Sequence, residues 1–147
     1  MQVSKSLEYA VRSLVFIAES EKPLGLSEIS QTGRMPKAYL AKIMRTLVEG
    51  GVVSSVRGRK GGYVLKKVPK DIALYDILSL TEGKEKLIPC INDGKFCYAS
   101  SFCSQKVVWI KVEKAITDAF KKVTLKDMLP RRAIGKVKNG RAQNYIS

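Results

Sequence analysis

A succession of patterns between Ser27 and Leu65 narrows the possible folds of this 147-residue chain more than any other stretch of it. Pro23 and Gly25 break a preceding helical pattern, and Ser27 to Thr32 reads as a short helix with Ile29 inward. Gly33 is the expected stop, because glycine adopts the left-handed conformation that commonly ends helices. Pro36 suits the first turn of the next helix, where its missing N–H costs nothing, and Leu40, Ile43, Met44 and Leu47 give that helix one apolar face. Lys37, Lys42 and Arg45 lie on its other face, with the small Ala38 and Ala41 between them. After Gly50-Gly51 come Val52–Val56 and Tyr63–Leu65, two strands around the tip Arg57-Gly58-Arg59-Lys60-Gly61-Gly62. Two short helices joined by a tight turn, then a basic hairpin, spell a winged helix-turn-helix.

The flanking segments are helical too, so the predicted fold class is mainly α with a small β-wing: a winged helix-turn-helix domain plus a long dimerisation helix. From Ser6 to Ser20, residues Leu7, Ala10, Val11, Leu14, Val15 and Ala18 share one helical face. Glu8 lies off that stripe and is expected in solvent or against a partner. A helix over Ala73 to Leu80 carries Leu74, Ile77 and Leu78. Between Val107 and Phe120 nine of fourteen residues are apolar, too many for one face. Val108, Val112, Ala115 and Ala119 follow the spacing of a seam for a second helix, which leaves Trp109, Ile116 and Phe120 to be buried elsewhere. A homodimer built on this helix is the expectation, since too little chain remains to surround it within one subunit. Ser104 is the candidate cap, and Thr124 to Leu129 reads as one capped turn ended by Pro130. Beyond it, Arg131, Arg132, Lys136, Lys138 and Arg141 meet no acidic residue through Ser147, a tail expected to be mobile. The chain thus divides into a winged domain over 1–80, a cysteine loop over 81–103, a dimerisation region over 104–129 and a basic tail over 130–147.

All three cysteines, Cys90, Cys97 and Cys103, fall in the turn-rich run after the winged domain, with six and five residues between them. Such a segment can curl so that its thiolates converge on one soft metal centre, and three is one short of the four ligands that iron–sulfur clusters and structural zinc usually take. With no histidine in the chain, the fourth is a carboxylate, a backbone group or an outside molecule. Plain core filling fits poorly with the polar and glycine neighbours. A disulfide is disfavoured because nothing at the N-terminus resembles a secretory signal, which points to a reducing cytoplasm. Zinc stays open, although the gaps exceed those of common zinc knuckles.

Lys and Arg number 27 against 13 Asp and Glu, a net charge of +14, so a polyanion is the expected partner and nucleic acid the first choice. No apolar run reaches the roughly 18 residues of a spanning helix, so no membrane partner is expected. The wing tip, with three cations among three glycines, suits insertion beside phosphates or into a narrow minor groove. An enzyme is disfavoured: there is no histidine, no convincing carboxylate pair and no phosphate-cradling glycine loop leading into a helix.

Several of these stretches together resemble the Rrf2 family of bacterial transcription regulators, over about residues 1 to 129. The likeness rests on Tyr9-Ala10-Val11-Arg12, Ser27-Glu28-Ile29, Pro36 with Tyr39-Leu40, Ser55-Val56-Arg57-Gly58, Gly61-Gly62-Tyr63 and the three spaced cysteines. It implies a homodimeric repressor or activator that binds an inverted repeat in double-stranded DNA and carries one iron–sulfur cluster per subunit, 2Fe–2S or 4Fe–4S. The resemblance assigns Cys90, Cys97 and Cys103 as ligands. The fourth varies among members between a histidine after the third cysteine, absent here, and a carboxylate near the start of the first helix of the other subunit. Glu8 stands at that position and is the candidate ligand in trans; a solvated helix-start carboxylate is the alternative. By position, Arg57 would enter the minor groove from the wing, and Lys37, Ala38, Tyr39, Ala41 and Lys42 would face the major groove; Arg59 and Lys60 at the basic tip and Arg45 on the exposed helix face join them as candidate DNA contacts. Tyr39 is placed to touch phosphate. Pro36, Ala38 and Ala41 stand where members hold polar side chains, so direct base hydrogen bonding is expected to be thin. Two alternatives remain: the same module with a thiol switch or zinc site in place of a cluster, and a winged helix that contacts protein or RNA.

Overall fold

The computed structural model describes residues 3–83 and 103–130, so Cys90, Cys97 and the basic tail of the sequence reading lie outside the described residues. Helix α1 spans Lys5–Glu19; the Ser4 hydroxyl opens it by accepting the Leu7 N–H at 3.1 Å. Of the expected stripe Leu7, Ala10 and Leu14 are buried while Val11, Val15 and Ala18 are half-buried, and Ile17, outside it, is buried as well. Ser13 is buried on the same side, its hydroxyl satisfied by the Tyr9 carbonyl at 2.7 Å.

Helix α2, Leu26–Gly33, and helix α3, Lys37–Glu49, follow. Their ends differ from the sequence expectation in two ways. The left-handed residue that terminates α2 is Arg34, at φ 51°, and Gly33 is the last helical residue. Glycine at 33 answers a packing demand, since a Cβ there would run into the Met35 side chain and approach Phe16 at 3.1 Å. Pro36 is the N-cap of α3, just outside the first turn, where its carbonyl accepts the Leu40 N–H at 2.9 Å. Leu40, Ile43, Met44 and Leu47 are buried as the periodicity predicts.

Strands β1, Val53–Val56, and β2, Gly62–Leu65, pair antiparallel with Val53 opposite Leu65 and Val56 opposite Gly62. A two-stranded ribbon is marginal alone. This one is tied to the α1–α2 connection, where Leu24 and Tyr63 exchange backbone hydrogen bonds of 3.1 and 2.8 Å. A short 3-10 turn at Pro69–Asp71 leads into α4, Leu74–Glu82, whose Asp76 carboxylate accepts the Ala73 N–H at 3.4 Å.

Helix α5, Ser104–Lys122, begins with Cys103 as N-cap, so Ser104 is its first residue and not its cap. The chain then turns back onto the winged domain. Leu74 donates to the Val123 carbonyl at 2.8 Å and Leu125 to the Ile72 carbonyl at 2.9 Å. Helix α6, Leu125–Met128, is capped by Thr124, whose N–H and hydroxyl both reach the Asp127 carboxylate at 2.8 Å. Leu125 thereby joins the cluster formed by α1, α3 and α4, a burial that contributes roughly 1.5–3 kcal/mol.

No residue of α5 is buried. Val107, Val108, Trp109, Ile110 and Val112 are all exposed, and only Phe120 packs on the core. Trp109, expected to find cover apart from the seam, stays 41% exposed, because within one chain α5 packs against α4.

Candidate nucleic-acid interface and cysteine site

The exposed face of α3 carries Lys37, Ala38, Tyr39, Lys42 and Arg45 in solvent, with Ala41 half-buried among them. The small alanines leave the backbone open to close approach while the cations flank it. Arg45 has a surface partner, Glu49, at 3.7 Å, an exposed pair worth little. At the wing tip Arg57, Arg59 and Lys60 are exposed. The tip closes by a hydrogen bond of 3.0 Å from the Gly61 N–H to the Gly58 carbonyl. Gly58, at φ +114°, supplies a conformation that other residues rarely take.

The structure adds a partner for Tyr39 that sequence spacing did not suggest. Its hydroxyl lies 2.5 Å from that of Ser6 in the first turn of α1. Its ring meets Tyr9 edge-on, with centroids 5.9 Å apart and planes at 76°. Lys5 and Arg12 each place a cation 5.9 Å from the Tyr9 ring centre.

Glu8 is neither free in solvent nor fully covered; its side chain is 34% exposed and grips two cations, Lys5 at 2.8 Å and Arg12 at 2.5 Å. The hydrogen bond from Lys5 holds its carboxyl below the usual range, assisted by the charges of Lys5 and Arg12 and opposed by partial burial. The same bond and charge raise Lys5. Arg12 reaches further, donating to the Gly33 carbonyl at the end of α2 at 3.0 Å. A local signal for Arg12 was present, since it stands four residues after Glu8 on a helix. Beside this group lies a cleft of about 370 Å³ lined by Val3, Leu7, Glu8, Val11, Leu74 and Phe120. Ser4 donates its hydroxyl proton to the Glu82 carboxylate, where α4 leads toward the cysteine segment.

Of the three thiols, Cys103 is placed, half-buried and unpaired by any disulfide at the head of α5. Among the described residues no three His, Cys, Asp or Glu side chains converge on a metal-sized site. A sulfur donor such as Cys103 suits a soft or borderline centre, iron–sulfur or zinc, better than a hard cation. Among the described residues no helix is long and apolar enough to cross a membrane.

The sequence profile of the Rrf2 family, described as iron-dependent transcriptional regulators, matches residues 3–131. The chain is 30% identical to the HTH-type transcriptional regulator NsrR of Bacillus licheniformis over 132 residues, 88% of this chain and 92% of that protein. Among solved structures it is similar to IscR of T. potens, with a TM-score of 0.71 and 29% identity, covering 96% of this chain and 93% of that one. It is likewise similar to CymR, the global cysteine regulator of B. subtilis, with a TM-score of 0.70 and 27% identity, covering 87% of this chain and 95% of the other.

Proposed function

This chain belongs to the Rrf2 family of transcriptional regulators, and from that premise we propose that it is a homodimeric, cytoplasmic DNA-binding regulator that responds to an iron–sulfur cluster. The observation that carries the DNA-binding part is the pairing of a small-residue, cation-flanked face on α3 with a three-cation wing tip on one hydrophobic core. In this reading α3 enters the major groove with Lys37, Ala38, Tyr39, Ala41 and Lys42, while Arg45 flanks the backbone. Arg57, Arg59 and Lys60 lie along or within the minor groove. The exposed seam of α5 supports the dimer, because Val108, Val112, Ala115 and Ala119 share one helical face in solvent, which water disfavours and a second copy of the helix would cover. Two subunits related by a twofold axis then read an inverted repeat, with their α3 helices about 34 Å apart.

Cys90, Cys97 and Cys103 of one subunit, with Glu8 of the other, are the proposed ligands. The cluster would supply a centre whose occupancy follows oxidants, nitric oxide or iron supply. The chain's own contribution is the linkage from that site to α3. Arg12 joins the Glu8 carboxylate to the Gly33 carbonyl at the turn between α2 and α3, so a change in what Glu8 binds is felt where α3 begins. The profile's description as iron-dependent supports this reading. Iron and acid-labile sulfide analysis of anaerobically purified protein, with duplex affinity measured for loaded protein, apo protein and Cys97→Ala, tests it. Equal affinity in all three removes the sensing claim while leaving DNA binding intact.

The likeness to CymR favours one second reading, in which the thiols respond directly and no cluster is held. A colourless, iron-free anaerobic preparation whose duplex affinity changes on thiol oxidation would establish it.

A further inference from the structure

Tyr39 is a large aromatic left 37% exposed on a helix face otherwise made of lysine, arginine and alanine. Its ring and oxygen are nevertheless fixed from outside α3. The Tyr9 ring stands against that of Tyr39 in a T-shaped pair and the Ser6 hydroxyl against the oxygen, three residues apart on the opening turns of α1. Two contacts suffice to set both side-chain torsions of a tyrosine, so the phenol is oriented before any partner arrives.

The hydrogen inventory of the pair then decides what Tyr39 can do. A phenol and a serine hydroxyl each own one proton, and in a bond between them only one donates. A phosphate diester offers acceptors alone, so Tyr39 contacts it only through its own proton. That requires Ser6 to be the donor to Tyr39, a role open to a freely rotating hydroxyl, and such a chain strengthens the outer bond.

We propose that Ser6 is a positioning residue for duplex binding: it donates to the Tyr39 oxygen, fixes the ring and turns the phenol proton toward a backbone phosphate. This rests on the DNA-binding reading and extends the interface onto α1, where sequence reasoning placed none of it.

The test uses the full-length reduced apo protein and a fluorescent random-sequence duplex of about 30 base pairs, because a phosphate contact carries no sequence information. Anisotropy titrations over a salt series compare wild type with Ser6→Ala, Ser6→Thr, Tyr39→Phe and the double variant Ser6→Ala/Tyr39→Phe. Expected are affinities weakened about tenfold by Tyr39→Phe and about threefold by Ser6→Ala, near-native binding by Ser6→Thr, and a double variant no weaker than Tyr39→Phe alone. The salt slope stays constant throughout, since neutral hydroxyls displace no counterions. Wild-type affinity in Ser6→Ala, failure of Ser6→Thr to recover it, or losses that multiply in the double variant would each overturn the assignment. Lys37→Ala reports separately on the DNA reading: loss of about 0.9 per subunit from its slope sustains that reading whatever Ser6 does. A wild-type protein that binds no duplex removes both.

Discussion

Gly62→Ala tests whether the wing is held by its attachment to the α1–α2 connection. A Cβ at 62 would lie 2.5 Å from the carbonyl carbon and oxygen of Leu24 and 2.9 Å from the Gly25 nitrogen, all of them backbone atoms. Ordinary contact needs about 1 Å more. Leu24 cannot recede, because it exchanges hydrogen bonds of 3.1 and 2.8 Å with Tyr63, the neighbour of the substituted residue. Relief therefore comes from stretching those two bonds, at ~0.5–1.5 kcal/mol each, with ~1 kcal/mol for a backbone at φ +157° that side chains rarely adopt. The sum is ~2–4 kcal/mol, which for a chain of this size lowers the melting temperature by roughly 5–15 °C. Gly51→Ala is the control: its φ is +69° but nothing stands within 4 Å, so only the left-handed conformation is charged, ~1–2 kcal/mol. Thermal unfolding by circular dichroism reads the stability. Duplex titration well below the melting temperature reads the wing, and affinity is expected to fall about tenfold as Arg57, Arg59 and Lys60 lose their fixed placement. A Gly62→Ala protein that melts within about 2 °C of wild type, or one less affected than Gly51→Ala, would refute the idea that backbone contact at Leu24 fixes the hairpin.

Leu125→Ala removes a fully buried side chain at the point where the chain returns to the core, and a loss of ~2–5 kcal/mol in urea unfolding is expected. Val112→Asp places a charge in the proposed α5 seam and should yield monomers in sedimentation at concentrations where wild type is dimeric; an unchanged mass rules that seam out. Lys42→Ala and Arg57→Ala should each lower the duplex salt slope by about 0.9 per subunit, and Arg45→Ala by less, because Glu49 already offsets its charge. Glu8 and Asp127 are held below their ordinary values, Glu8 chiefly by the hydrogen bond from Lys5 and Asp127 by those from Thr124. Both therefore bind fewer protons folded than unfolded in mild acid. Their contribution is complete above the unfolded carboxylate value of about 4 and is lost as pH falls through the lowered folded values. Carboxyl titration by NMR should show the low midpoints, and Asp127→Asn should flatten the acid limb of the stability profile.

What could be read from the chain was whatever repeats at short range. The stripe Leu40, Ile43, Met44, Leu47 and the run of strand, basic tip and strand each betray their structure within one or two turns. Element ends were less legible: Arg34 and not Gly33 turns left-handed, and what a side chain at 33 would meet, Met35 and Phe16, is set by tertiary packing that no local pattern announces. Trp109 was expected to be covered and is exposed within a single chain, because periodicity counts apolar residues without saying which chain covers them. Least legible were the links between α1 and α3. Ser6 and Tyr39 are 33 positions apart, and no local pattern marks a serine as the neighbour of a distant phenol. Of the proposed ligands, Glu8 and Cys103 are described, whereas Cys90 and Cys97 lie in the segment between the described parts.

Helix α5 is tied to the core at its foot, where Phe120 packs on the buried cluster and the Ile72 and Val123 carbonyls hold the chain on either side, while the head carries Cys103. Nineteen residues make a rod about 28 Å long. Pivoting such a rod by about 10° at its foot sweeps the head through roughly 5 Å, a full helical turn. Leverage of this kind runs in both directions, so the grip of two such rods on each other would also govern how steadily the sulfur at their heads is held.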